Sequence, residues 1–291
     1  MIVWWNGALT PIEAVRISPL DRGFIYGDGV FETIRIQDGK PLWLSEHLER
    51  FKRSLKLLNF GSTADFFEEE RVRRIIHDLL KANPAMGNVT RLKIIVTRGE
   101  NSLIGLPAVD VDFGQGFSSS SPTVLFTVTS YQPPSEDAYR RGWAVELIAG
   151  HYSPPLGRHK TLNYLFYLWL KEEARKKGFQ EAIFEDCEGR IVEASTASLA
   201  VLIDGVWVFP VSYWKLDGIT EKIVSRLLQE MNESVAFKEL RAEDLGRARA
   251  MWLLNSMIGV MPVNKINERY LPERMESLAA KIREGLFLSN K

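Results

Sequence analysis

The sequence predicts an α/β protein of two domains, and three observations predict it. Its 291 residues exceed what one small domain needs and suit two of ordinary size. Runs of alternating β-branched and apolar residues are interleaved with stretches whose apolar residues recur at helical spacing. Between the halves, Tyr131-Gln132-Pro133-Pro134-Ser135 is stiffened by two prolines and crossed by no apolar period. The expected organisation is a smaller N-terminal α+β domain over 1–130, a linker over 131–136 and a larger, strand-rich C-terminal domain over 137–291.

In the first domain Ile2 to Trp5 reads as a strand, Asn6-Gly7 as a turn, Val30 to Gln37 as a strand and Asp38-Gly39 as a second turn. Ser45 is an expected N-cap for a helix through Leu58, since Leu48, Phe51, Leu55 and Leu58 share a helical face. A second helix is expected from about Phe66 to Ala82, then strands over Thr90 to Arg98 and Val124 to Thr129. Between those strands, GQGFSSSSP at 114–122 has the composition of a loop.

The second domain opens with a strand near Trp143 to Ile148 and a loop holding Pro154-Pro155-Leu156-Gly157. Arg158 to Tyr164 then leads into a helix that runs to Lys177 and is closed by Gly178. Strands are expected at Glu181 to Glu185, Ile191 to Val192, Leu199 to Ile203 and Val206 to Phe209. Gly218-Ile219-Thr220 starts a helix with Ile223, Val224, Leu227, Leu228 and Met231 on one face. No repeat at a fixed period appears.

Composition narrows the function classes. Apolar residues at 45% and charged residues at 25% argue against global disorder. Lys+Arg and Asp+Glu balance at 37 each, so no net field recruits nucleic acid or an anionic membrane, and any anion site must be local. The single cysteine, Cys187, can form neither an internal disulfide nor a Cys-rich metal site, and no metal is expected. With no basic leader before an apolar stretch and no long uncharged run, the expected location is the cytoplasm.

The chemistry centres on Lys160. It lies between a Pro/Gly-rich loop and an apolar helix start, a place where an ammonium can leave water and become a nucleophilic amine. Around it, in order, stand GDGVFET (27–33), HLERF (47–51), HKTLNYL (159–165), EGRIVEAS (188–195), GIT (218–220) and NSMIGVMPV (255–263). This series resembles the class IV aminotransferases, a family that includes branched-chain and D-amino-acid aminotransferases and the 4-amino-4-deoxychorismate lyases. The likeness covers most of the chain.

The resemblance implies pyridoxal 5'-phosphate as cofactor, a cofactor site at the domain interface and a homodimer. It implies that Lys160 forms the Schiff base and that Glu193 faces the pyridine nitrogen, where a carboxylate keeps the ring protonated and able to accept electrons. Taken alone, Glu193 reads as a charge at a strand end. Gly218, Ile219 and Thr220 would offer a helix N-terminus to the phosphate, with Ser256 as a further hydroxyl donor. Arg50 matches the family's phosphate arginine, or is an exposed helix arginine; Tyr164 either bonds the phenolic oxygen or packs. Ser195 and Thr196, which follow Glu193, complete the expected cofactor contacts, and Tyr26, Phe31 and Met257 are expected to border the substrate.

Two departures stand out. Ser198 replaces the Asn that many relatives carry after the Glu block, and Glu100-Asn101-Ser102-Leu103-Ile104 lacks the arginine with which some relatives bind a substrate carboxylate. Arg91 and Lys93, two apart on a strand, share a face and either converge on that carboxylate or form a solvated surface. The implied reaction removes the proton from the amino-bearing carbon of a substrate that carries a carboxylate and has formed an imine with the cofactor, with the Lys160 amine as base. The Asn255-Ser256-Met257 block is similar to the lyase branch, while Tyr164 stands where some lyases have arginine. Lyase and aminotransferase both stay open, as does a catalytically silent relative that keeps the fold as a scaffold.

Overall fold

The structure, a computed structural model, describes residues 1–110, 121–150 and 152–288. Of the loop expected at 114–122, all but Ser121 and Pro122 lies outside the described residues. The chain divides into two compact units, Met1–Gln132 with His159–Asn163, and Pro133–Arg158 with Tyr164–Lys291.

The first unit is built from β1 (Ile2–Trp5), β2 (Ala8–Pro11), α1 (Arg22–Tyr26), β3 (Gly29–Gln37), β4 (Lys40–Pro41), α2 (Leu44–Leu57), α3 (Glu69–Ala82), β5 (Val89–Thr97) and β6 (Thr123–Ser130). Its strands form one sheet in the order β2-β1-β6-β5-β3-β4. Strand alternation sends Val30, Ile34 and Ile36 of β3 and Leu92, Ile94 and Val96 of β5 into one core with Leu44, Leu48, Phe51 and Leu55 of α2. Phe31, Thr33 and Arg35 therefore share the other face with their register partners Ile95, Lys93 and Arg91.

Two helix starts differ from expectation. α2 begins at Leu44 because Trp43 turns left-handed at φ 54°, and Ser45 makes no cap but bonds Glu69. α3 begins at Glu69 rather than near Phe66, since Gly61–Phe67 forms a tighter 3-10 turn whose Phe66 and Phe67 rings pack edge-on, 5.1 Å apart.

The second unit holds α4 (Glu136–Arg141), β7 (Trp143–Ile148), α5 (Leu165–Lys176), β8 (Glu181–Glu185), β9 (Ile191–Ala194), β10 (Ser198–Ile203), β11 (Val206–Pro210), α6 (Ile219–Glu230), β12 (Val235–Lys238), α7 (Ala242–Leu245), β13 (Ala250–Asn255), β14 (Gly259–Ile266), β15 (Arg269–Tyr270) and α8 (Glu276–Leu288). α4 begins within the stretch expected to be linker, with Ser135 as its N-cap. The sheet order is β12-β11-β10-β13-β14-β7-β8-β9, with β15 on β14.

The middle of this sheet is buried on both faces. Ala200, Trp252 and Leu254 pack toward α6 and α8, while Leu199, Val201, Met251 and Leu253 fill a core on the opposite side. Hence β10 and β13 read as continuous apolar runs rather than alternating ones. On the expected face of α6, Ile223, Val224 and Leu228 are buried, whereas Met231 lies past the helix end and is exposed.

Candidate active site

Within the first unit, Lys160 is strapped onto β3. The Phe31 amide donates to the Lys160 carbonyl at 2.8 Å, the Leu162 amide donates to Gly29 at 2.9 Å, and Val30 bridges Thr161. The Asn163 side-chain amide adds a bond to the Gly27 carbonyl at 3.1 Å. Two glycines make this possible: Gly27 has φ +67°, and a Cβ on Gly29 would lie 2.4 Å from the Val96 carbonyl. The GDGVFET and HKTLN blocks, far apart in sequence, are thus two sides of one backbone joint.

The Lys160 ammonium lies 4.5 Å from the centre of the Phe31 ring, and Lys93 lies 4.8 Å from the same ring. Lys93 is half-buried, and burial, helped by Arg91, lowers its pKa. Arg91 reaches the Thr129 hydroxyl and stands over Tyr131 at 5.8 Å. This face of the sheet therefore brings Lys93 and Lys160 to one ring, Phe31, while Arg91 lies further along β5 at Thr129 and Tyr131. Tyr26 ends α1 with its ring exposed beneath the Arg22 guanidinium.

On the helix side of β3, Glu32 has no exposed surface and holds Arg50 through two bonds of 2.7 and 2.8 Å. Burial opposes its ionisation, but Arg50 and then His47 outweigh burial and hold the carboxyl far below the usual range. Burial keeps His47 itself below its usual pKa despite Glu32, and its Nδ1 donates to the carboxylate at 2.9 Å. Arg50 is buried, not an exposed helix arginine, and two of its N–H groups are committed to Glu32.

In the second unit the turn after β9 is a hub. Glu193 is buried and accepts the Leu216 amide at 3.3 Å. The Ser195 and Thr196 hydroxyls both donate to Glu181, a wholly buried carboxylate that also takes Lys171 at 2.9 Å. The Ser195 carbonyl accepts the Tyr164 hydroxyl at 3.1 Å, and the Thr196 carbonyl accepts the Asn255 amide at 3.0 Å. Burial, then Glu193, then Glu181 push the Tyr164 phenol up, so it remains a donor.

Ser256 and the buried Met257 follow on the tight turn joining β13 to β14, where the Asn255 side-chain Oδ1 accepts the backbone amides of Met257 and Ile258 at 2.9 Å each. Gly218 precedes α6 with no side-chain cap on the helix, and a Cβ there would lie 2.4 Å from the Ser198 hydroxyl. Thr220 is buried in the first turn.

Sequence reasoning missed Glu181, Glu32 and His47. The signal existed: Glu32 falls among the apolar residues of β3's inward parity, and Glu181 opens a strand whose middle, Ala182 to Phe184, is apolar. Among the described residues no group of His, Cys, Asp and Glu could hold a metal ion, and no helix is long and apolar enough to cross a membrane.

Known proteins of similar sequence and structure follow the same plan. A putative branched-chain-amino-acid aminotransferase of Methanocaldococcus jannaschii is 28% identical, with 93% of this chain and 90% of the relative covered. The aminodeoxychorismate lyase of Bacillus subtilis is 27% identical, covering 92% and 87%. A D-alanine aminotransferase of Staphylococcus epidermidis is 29% identical, covering 91% and 89%. Among solved structures, a fold IV-transaminase from Curtobacterium pusillum superposes with a TM-score of 0.81 at 26% identity, over 97% of this chain and 91% of the other. A hypothetical aminotransferase from Mycobacterium tuberculosis reaches 0.83 at 20% identity over the whole of both chains. The profile of the amino-transferase class IV family matches residues 29–266, and the chain belongs to that family of pyridoxal-phosphate enzymes.

Proposed function

We propose that this chain is a 4-amino-4-deoxychorismate lyase, cleaving its substrate to p-aminobenzoate and pyruvate, and that it works as a cytoplasmic homodimer. The residues fit pyridoxal phosphate by the chemistry of their donors. The first turn of α6 has no side-chain cap and opens on a glycine in close contact with Ser198, which suits a phosphate. A buried carboxylate, Glu193, suits a protonated pyridine nitrogen, and the protonated Tyr164 phenol would suit an oxyanion by turning its proton from the Ser195 carbonyl. Lys160 would take the aldehyde, while Gly218, Ile219, Thr220, Ser256 and Arg50 would hold the phosphate. When bound, the cofactor supplies an aldehyde for an amine and a ring that takes up electrons from the carbon losing its proton.

One observation carries the reading of the substrate: Lys160 and Lys93 lie over the same Phe31 ring, with Arg91 next along the strand face. Lys93 and Arg91 hold carboxylate at that face, which brings the amino-bearing carbon to the Lys160 amine. The Lys160 nitrogen then moves the proton from that carbon. In 4-amino-4-deoxychorismate, loss of this proton is coupled to cleavage of the bond between the ring and the enolpyruvyl oxygen; the ring becomes aromatic, and the three-carbon fragment leaves as enolpyruvate, which takes up a proton at its methylene carbon to become pyruvate. A substrate with two carboxylates suits two adjacent cations, and the Asn255-Ser256-Met257 turn is similar to the lyase branch.

Amino transfer is the second reading, favoured by the branched-chain and D-alanine aminotransferases at 28% and 29% identity. The test supplies aminodeoxychorismate alone and, separately, L- or D-amino acids with a keto acid. The lyase releases p-aminobenzoate and pyruvate in the first mixture; amino exchange in the second, with no product in the first, overturns that assignment.

A further inference from the structure

The loop from β11 to α6 carries a buried ion pair that the chemistry above does not use. Lys215 is 7% exposed and Glu221 6%, and their charged groups are in direct contact. Glu221 stands in the first turn of α6, three residues after Gly218, and takes a further hydrogen bond from the Ser198 hydroxyl. That hydroxyl is also the atom nearest to where a Cβ of Gly218 would sit.

An acidic residue in a first turn ordinarily suits a helix, because it meets the positive end of the macrodipole. Where the same turn must take a phosphate, the carboxylate competes for that field and repels the ligand. The chain thus carries an acid where its proposed ligand is an anion. Lys215 offsets this, since its ammonium touches the carboxylate from a loop outside the helix. We propose that Lys215 is a positioning residue that neutralises Glu221, so that the α6 N-terminus accepts the cofactor phosphate. The inference rests on reading Gly218, Ile219 and Thr220 as phosphate donors.

The pair also anchors a loop with a second task, because the next residue, Leu216, donates its amide to Glu193. On balance burial raises the pKa of the Glu221 carboxyl, and Lys215 and the Ser198 hydroxyl offset only part of that rise. Ser198 belongs to the same device. Its hydroxyl serves Glu221, which accounts for a short donor where many relatives carry an amide.

The test measures dissociation constants of pyridoxal 5'-phosphate and of pyridoxal, which share the imine with Lys160 and differ by the phosphate. Their ratio isolates the phosphate site from loop order and from folding. K215M lowers the preference for the phosphorylated form at least about tenfold at alkaline pH, where the carboxylate left without Lys215 still ionises and faces the dianion. K215M/E221Q restores it. E221Q alone keeps or raises it, and serves as the decisive variant if K215M does not fold.

Equal weakening of both ligands in K215M, failure of the double variant to recover, or a fall in the ratio in E221Q overturns the inference. T220V separates the two layers. A ratio unmoved by T220V refutes the phosphate reading of α6, whereas a ratio lowered by T220V but not by K215M refutes only the role of Lys215.

Discussion

Glu32 shows how much a single buried acid can be asked to do. With no exposed surface, it is ionised only because Arg50 and His47 surround it. Removing one member of such a cluster leaves a charge without its partner, so E32Q should destabilise the protein by about 3–5 kcal/mol in urea unfolding. The pH dependence has a definite sign. In the folded chain the Glu32 carboxyl binds its proton far more weakly than in the unfolded chain. Its contribution is therefore complete above the unfolded value of about 4.3 and is lost as pH falls below it, a slope that E32Q should flatten. Lys93 makes a different prediction: K93M should raise KM about tenfold or more with little change in kcat, leaving the visible cofactor band unmoved. An unchanged KM would remove Lys93 from the substrate site. Lys160 and Glu193 were legible because each stands in a block with fixed neighbours. Glu32, His47 and Glu181 were not, since nothing local says that an acid in a strand will meet a base from a helix ten or more residues away.

At the scale of elements, the strap between β3 and 159–163 is the arrangement most sensitive to a small change. G29A puts a methyl group 2.4 Å from the Val96 carbonyl and 2.7 Å from the Leu162 side chain. It should cost about 1–3 kcal/mol and slow capture of the cofactor by Lys160, read as thermal unfolding and as growth of the visible band. Normal uptake in G29A would mean that the strap does not set the lysine. The strands β1, β3, β5 and β6 of the first unit were legible because one face of the sheet is buried and the sequence alternates, whereas the short β2 and β4 were not. In the second sheet Leu199 to Ile203 was legible, but the adjoining strands Ala250–Asn255 and Gly259–Ile266 were not. Ala250–Asn255 is apolar on both faces, and such a run cannot be told from a buried helix by its period. Ser45 misled for a related reason: the expected cap residue was present, but Trp43 took the left-handed position one step earlier and freed Ser45 to bond Glu69.

For the molecule as a whole, composition excluded much and located little, since balanced charge forbids a large field but says nothing of a local one. The family membership was legible from the order of six short blocks, whereas substrate choice depends on pocket shape, which no block encodes. Ile17, Leu20, Phe24 and Ile25 are exposed in the first unit, apolar surface that a second copy would cover. Light scattering should therefore give twice the chain mass, and a monomer at micromolar concentration would contradict the proposed dimer. Everything proposed about chemistry depends on one amine. After incubation with pyridoxal phosphate and reduction with borohydride, peptide mapping should find the label on Lys160 in the native chain and nowhere in K160A. A label fixed elsewhere in K160A, or a native chain labelled at another lysine, would contradict the account.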